Sequence, residues 1–150
     1  LGYDPASGAE ATLTKAAEVA GKPVSGLETA ELQLGLLDTL PIPAQVSFMV
    51  GAAEQALKGG DQLARLIDLW KDGKPDELGA LMNYELAESP ELEESLLTNR
   101  NRTWAEWIAT KIAAPGGSYF VAVGAGHLAG EHSVQSFLAA RGLMVTRVAY

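Results

Sequence analysis

The sequence predicts an α/β fold that is rich in helix and contains a small, mostly parallel sheet. The main observation is the segment 118–150. Residues 119–123 form a continuous apolar run of aromatic and β-branched side chains, which is typical of a strand buried on both faces. Helical spacing from about Glu131 stops at Gly142, and residues 143–148 form a second apolar run. A strand, a helix and a strand joined this closely indicate a right-handed parallel βαβ unit.

The chain before this unit reads as one early strand followed by a run of helices. Residues 22–28 predict a short strand, in which Pro23 fits only the first position. Apolar residues at helical spacing, with proline or acidic residues in several first turns, predict helices that begin near residues 5, 27, 46, 63, 75, 90 and 104. We expect Gly59–Gly60 to end the third of these, and the polar residues 99–103 to interrupt the helical run.

The amino-acid composition excludes several kinds of binding partner and structural feature. At 150 residues the chain corresponds to one domain, and its hydrophobic content of 47% is enough for a sizeable core. A formal net charge of −8 should repel nucleic-acid backbones and anionic membranes. The lack of cysteine excludes disulfides and thiolate zinc sites, and no apolar run is long enough to span a bilayer. Because the chain begins without Met or a signal-peptide pattern, we expect it to be part of a longer protein.

Two polar side chains are predicted at the carboxyl ends of strands, where open α/β sheets bind their ligands. His127 follows the predicted strand 119–123, and Glu28 ends the early strand. His127 is interpreted either as a turn residue that caps the next helix, or as a metal ligand or general base, since imidazole suits both of these tasks. Gly124 and Gly126 carry no side chain, so we expect them to let a substrate approach the backbone closely.

The same glycine turn allows a nucleotide-binding interpretation. Residues 124–129 formally match the dinucleotide fingerprint G-x-G-x-x-G/A after a strand. The match is poor in context, because the fingerprint belongs to an opening βαβ unit whose second strand ends in an acidic residue, and Arg147 lies nearest that place. A non-catalytic small-ligand or nucleotide-binding module at residues 124–130 is therefore the alternative. His132 would point away from His127 on a regular helix and is interpreted as a surface residue.

Several short stretches along the chain carry a family resemblance. They are Gly2-Tyr3-Asp4, GKPVSGLET at 21–29 with Gln33 and Leu34, Trp70 with Gly73, Arg100-Asn101 ahead of Trp104-Ala105, YFVAVGAGHLAG at 119–130, and Gly142-Leu143-Met144-Val145. In this order they resemble the TraB/GumN family, whose animal relatives include the Tiki membrane proteases. Residues 124–127 match the second of the family's two G-x-x-H motifs, and the first has no counterpart here. The resemblance therefore implies a single domain over residues 1–150 that is the C-terminal portion of the family's domain.

The resemblance implies a fold similar to the erythromycin-esterase and ChaN group, together with hydrolytic chemistry. Metal-dependent peptide cleavage is known for the Tiki branch, so a metal-dependent hydrolase, and within that class a peptidase, is the implied function. The family's carboxylate and arginine positions fall on Glu28 and Arg100. A divalent metal would then be bound by His127 and Glu28. Arg100 would stabilise an oxyanion, and the neighbouring Asn101 would contact the substrate.

The implied partners follow from these expectations. The substrate would be a peptide or a small molecule, with no nucleic acid and no membrane span in this chain. A domain that lacks its opening strands exposes an unpaired sheet edge, so we expect self-association or pairing with the missing part of the domain. Bacterial members are often exported, and the resemblance implies the same compartment here.

Overall fold

The computed structural model describes residues 4–148, with side chains except those of Pro5, Glu85 and residues 57–61. In this range the helices are α1 (Ala9–Val19), α2 (Ala30–Asp38), α3 (Ile42–Lys71), α4 (Pro75–Ala87), α5 (Pro90–Glu93), α6 (Asn99–Ala113) and α7 (Val134–Ala140). Short 3-10 turns lie at Pro5–Ser7 and Ala125–Leu128, and a π-helical turn lies at Glu94–Thr98. No β-strand is formed within the described range. The predicted α/β fold with a parallel sheet and a C-terminal βαβ unit is therefore wrong.

The three segments predicted as strands have no regular secondary structure. Residues 22–26, 118–124 and 143–148 lie outside every helix and form no ladder within the described range. Their apolar side chains stay largely accessible, with Phe120 79% and Met144 93% exposed. A buried strand needs a neighbouring strand that satisfies its backbone N–H and C=O groups, in addition to an apolar sequence. The sequence pattern shows that the side chains are apolar, but it does not show whether a neighbouring strand is present. The strand predictions were wrong for this reason.

The long helix α3 also differs from expectation. It continues through Gly59–Gly60, where a helix end was predicted, and spans 30 residues. Each glycine in a helix costs about 1 kcal/mol relative to alanine, which weakens a long helix without ending it. No single described helix is long and apolar enough to cross a bilayer, whereas α2 and residues Ile42–Ala56 of α3 meet the length and composition for a span only as a pair bent by 110°.

The helix that carries most of the site begins earlier than the sequence indicates. From Pro90 the chain is helical through α5, the π-helical turn and α6, so the interruption predicted at residues 99–103 is wrong. Polar side chains of this stretch bond within the helix, as when the Thr103 hydroxyl donates to the Asn99 carbonyl at 2.9 Å. The continuous helix places Asn101 and Trp104 on one buried face.

The last helix supports this face. It begins at Val134, with the Ser133 hydroxyl accepting from the Ser136 N–H, a few residues after the predicted start near Glu131. Gly142 adopts a φ of +78°, and its predicted role as the residue that ends the helix is confirmed. Val134 packs with Trp104 and Ala105 in one buried cluster, and Leu40, Ala44 and Leu92 form another.

Helix α4 packs unusually close to the turn that contains His127. A Cβ atom on Gly79 would clash directly with the Cβ of Ala129, and a Cβ on Gly126 would lie 2.7 Å from the Asn83 Oδ1. The Asn83 Nδ2 donates to the Gly126 carbonyl at 2.8 Å. Helix α4 therefore holds the turn at a fixed distance through two glycines and one side-chain amide.

This packing predicts opposite effects for two helical glycines. Gly79→Ala should lower the free energy of unfolding by about 1–3 kcal/mol, because Ala129 is anchored to the backbone and cannot move aside cheaply. Gly35→Ala, in α2 with no neighbouring atom within 4 Å of the new methyl, should raise it by about 0.4–1 kcal/mol. Urea unfolding of the two variants measures both values. Equal effects of the two substitutions would contradict the close contact between α4 and the turn.

Candidate functional site

His127 lies in the 3-10 turn Ala125–Leu128, and no strand precedes it. Its backbone N–H donates to the Gly124 carbonyl at 2.9 Å, which closes the turn. The Gly126 carbonyl is held from the other side by Asn83 of α4. The half-buried imidazole therefore has a fixed backbone, although not the strand end on which it was expected.

The amide of Asn101 holds the imidazole ring. The His127 Nδ1 lies 2.6 Å from the Asn101 Oδ1. The Asn101 Nδ2 donates to the His132 carbonyl at 2.7 Å, so the Oδ1 is the atom that faces the ring. An amide oxygen only accepts hydrogen bonds, which means that Nδ1 carries the proton and Nε2 keeps its lone pair in the neutral ring. Asn101 is 0% exposed, and both ends of its amide are engaged by the protein.

Trp104 fills the space between the histidine and an arginine. Its ring centroid lies 4.6 Å from that of His127, with the planes tilted by 49°. The Arg100 Cζ lies 4.9 Å from the Trp104 ring, at cation–π distance. The Trp104 Nε1 is buried without a hydrogen bond of ordinary geometry, although its N–H contributes slightly to lowering the pKa of Glu28. The indole thus contacts both polar side chains of the site.

Arg100 and Glu28 form a buried ion pair. Arg100 Nε donates to both carboxylate oxygens at 3.0 and 3.1 Å, and Nη2 donates to Oε2 at 3.0 Å. The Glu28 side chain is only 6% exposed and also accepts from Gln33 Nε2 at 3.1 Å. Arg100 Nη1 donates to the Leu96 carbonyl of the π-helical turn at 3.0 Å. Of the five guanidinium N–H groups, one on each terminal nitrogen has no acceptor among the described residues.

The charges of this pair act on the histidine. Burial of the imidazole and the nearby Arg100 charge lower the pKa of His127 from 6.5 to about 4, and Glu28 offsets this only in part. Burial alone would raise the pKa of Glu28, but hydrogen bonds from Arg100 and Gln33 outweigh it and hold the pKa below its usual 4.5. At neutral pH the site therefore contains a neutral imidazole beside an ionised salt bridge.

Glu28 and His127 do not by themselves fit a divalent metal. Arg100 engages both oxygens of Glu28 and adds a positive charge next to them. Within the described range no three His, Asp or Glu side chains are grouped closely enough to bind an ion. His127 has a feature of metal-ligating histidines, since its second ring nitrogen is held by a hydrogen bond. A metal at His127 would need further ligands from outside this set of residues.

The site opens onto a cavity of about 1240 Å³ between α2, α3, α4 and the turn. Arg100, His127, Gly124 and Gly126 line it, together with apolar side chains that include Phe48, Leu86 and Leu92. Gly124 has an ordinary φ of −59°, so its backbone does not require glycine, whereas Gly126 is buried against Asn83. The cavity gives the imidazole and the guanidinium access to a ligand of substantial size.

The structure brings together residues that are far apart in the sequence. Arg100 contacts Glu28 directly, and both charges lie near enough to His127 to affect its pKa. Sequence reasoning missed Asn83, which carries no motif, and gave Trp104 no role in the site. His132 is half-exposed and pairs with Glu93 at 2.9 Å, and its backbone carbonyl anchors Asn101. Every residue has a backbone carbonyl, so the residue identities do not predict which carbonyl accepts from Asn101.

These features define a helical protein whose polar site is built by one helix from Arg100, Asn101 and Trp104. The model of the TraB/PrgY/gumN family matches residues 1–147. The chain belongs to the TraB/PrgY/gumN family, and the membership expected from the sequence is confirmed. No curated protein and no solved structure matches the chain significantly.

The lowered pKa of His127 predicts a pH-dependent stability. The unfolded chain binds a proton at His127 below about pH 6.5, whereas the folded chain binds it only near pH 4. The unfolded state therefore holds more protons between these values, and wild-type stability should fall as the pH is lowered from about 6.5 toward 4. Glu28 adds to this loss only below its unfolded pKa near 4.5, as its carboxylate becomes protonated.

Urea unfolding between about pH 7 and pH 5 measures the histidine contribution before the carboxylates titrate. His127→Gln should be less sensitive to pH than wild type in this window, because glutamine does not titrate. An unchanged slope in His127→Gln would show that the imidazole is not held neutral.

Proposed function

We propose that this protein is a hydrolase and that the Nε2 atom of His127 is its working group. One observation carries the proposal: Asn101 fixes the proton on Nδ1, and no described residue hydrogen-bonds Nε2 of this cavity-lining ring. A neutral imidazole with one nitrogen anchored and the other free is the arrangement that general-base catalysis requires. Family membership by itself supports no particular reaction.

The residues divide the chemistry as follows. Nε2 of His127 would accept a proton from a water molecule while its oxygen attacks the carbonyl carbon of an ester or amide. The two spare N–H groups of Arg100 would stabilise the oxyanion that forms. The protonated imidazole would then donate its proton to the leaving group as the tetrahedral intermediate collapses. Glu28 would keep the guanidinium in place rather than meet the substrate, because Arg100 already engages both of its oxygens.

The substrate that suits this cavity is a peptide or a small molecule with an apolar portion. Apolar side chains from α2, α3 and α4 line part of the space that leads to the two polar groups, next to polar side chains such as Gln33 and Gln55. Such a lining supplies affinity for the apolar portion, while Arg100 and His127 select a carbonyl group at one end.

The metal dependence implied by the family resemblance is tested separately, because Glu28 is engaged by Arg100. Turnover is compared after dialysis against a chelator and after addition of Zn²⁺, Mn²⁺ or Co²⁺. Loss on chelation with recovery on addition would show that ligands beyond the described residues bring a metal to His127. Turnover that is indifferent to both treatments supports His127 as the base without a metal.

A non-catalytic binding module is the second candidate, and the large, partly apolar cavity favours it. The nucleotide version of this candidate has less support. The glycine turn leads into a four-residue 3-10 turn, while α7 begins later with its N-terminus capped by Ser133. A phosphate bound at the turn would therefore not meet the N–H groups of a helix N-terminus.

Substitution of His127 tests the hydrolase proposal. With fluorogenic peptides and chromogenic esters as substrates for the full protein, His127→Gln should lower kcat/KM by about 10²–10⁴-fold, the usual contribution of a general base. Glutamine can still donate its side-chain amide to Asn101, so the fold should be retained. His132→Gln, which changes an exposed partner of Glu93 and keeps the backbone carbonyl, should leave kcat/KM within about twofold. Equal turnover of His127→Gln and wild type would remove His127 from the mechanism.

A further inference from the structure

We infer that Asn101 is a positioning residue, whose buried amide holds His127 in the tautomer with the proton on Nδ1. The inference deepens the proposed function, because it assigns a role to a residue that the family resemblance implied as a substrate contact. Asn101 is fully buried, and its amide spans two elements of the chain. The side chain is fully buried and does not line the cavity, so its second amide N–H does not reach a substrate.

The direction of the amide follows from its second partner. The His132 carbonyl can only accept, so the Asn101 Nδ2 must face it and the Oδ1 must face His127. A flipped amide would place two acceptors together and leave the His132 carbonyl without this donor, although its N–H₂ group could still donate to an unprotonated Nδ1. Each such unsatisfied group costs about 1–3 kcal/mol in a buried site. The backbone carbonyl of His132 therefore determines the ring nitrogen of His127 that carries the proton.

The neighbours of the ring allow no competing arrangement. Trp104 covers the ring at 4.6 Å between centroids and offers no acceptor, and a Cβ on Gly124 would lie 3.7 Å from the Cδ2 atom of the ring. The only hydrogen bond that a described residue makes to the ring is the one from Asn101. Without it, both tautomers become accessible, and the population that presents a free Nε2 lone pair to the cavity falls.

Nitrogen-15 NMR of the imidazole ring reads the tautomer directly, without any substrate. In the full-length wild-type protein at neutral pH, the signals should show a protonated Nδ1 and a bare Nε2 on His127. Asn101→Leu should shift population to the Nε2-protonated tautomer, because leucine accepts no hydrogen bond. Asn101→Asp should keep Nδ1 protonated, because its carboxylate still accepts. Asn99→Leu is the matched control on the exposed side of the same helix and should match wild type.

A wild-type ring protonated on Nε2 alone would overturn the inference, as would a folded Asn101→Leu protein that keeps Nδ1 fully protonated. If Asn101→Leu does not fold, the wild-type and Asn101→Asp spectra decide the question. The activity readout depends on the proposed function: kcat should fall by about 10–100-fold in Asn101→Leu with KM little changed. If His127 carries its proton on Nδ1 but the wild-type protein shows no turnover, the hydrolase proposal is refuted and the positioning role of Asn101 is retained.

Discussion

The buried ion pair between Glu28 and Arg100 is the interaction on which the site depends. It joins residues 72 positions apart and ties the segment before α2 to the first turn of α6. Breaking such a pair would leave one charge without its partner, at a cost of several kcal/mol where the Glu28 side chain is only 6% exposed. Burial lowers the pKa of His127 most, the Arg100 charge lowers it further, and the Glu28 charge offsets part of this. The contact thus orients the arginine whose charge, together with burial, keeps the imidazole neutral.

Helix α6 converts this contact into a site. Arg100, Asn101 and Trp104 lie within two turns of the helix, so the salt bridge, the amide and the indole have a fixed relation to one another. The π-helical turn before α6 contributes the Leu96 carbonyl that accepts from Arg100. Such turns occur often at functional sites because they displace the backbone from the regular helical path. The turn that carries His127 is then held between this helix and α4.

The sequence named residues that the structure brings close together, although it misjudged the architecture around them. His127 and Glu28 were expected at the ends of strands that do not form, whereas the G-x-x-H motif and the family resemblance depend only on local identity and also indicated Arg100. The prediction of a sheet was wrong because the apolar runs at 119–123 and 143–148 do not show whether another strand pairs with them. The position of Asn101 was unpredictable for a related reason. Its partners are a ring 26 residues away and a backbone carbonyl 31 residues away, and neither contact follows from local spacing.

A double-mutant cycle on Glu28 and Arg100 tests the central ion pair most directly. The free energies of unfolding of wild type, Glu28→Gln, Arg100→Met and the double variant give the coupling energy, which should be about 1–3 kcal/mol for a buried pair in contact. The exposed pair Glu94–Arg102, with side chains 53% and 45% exposed, is the matched control. Its coupling should stay below about 0.5 kcal/mol. A Glu28–Arg100 coupling no larger than that of the control would contradict the buried contact and the site built on it.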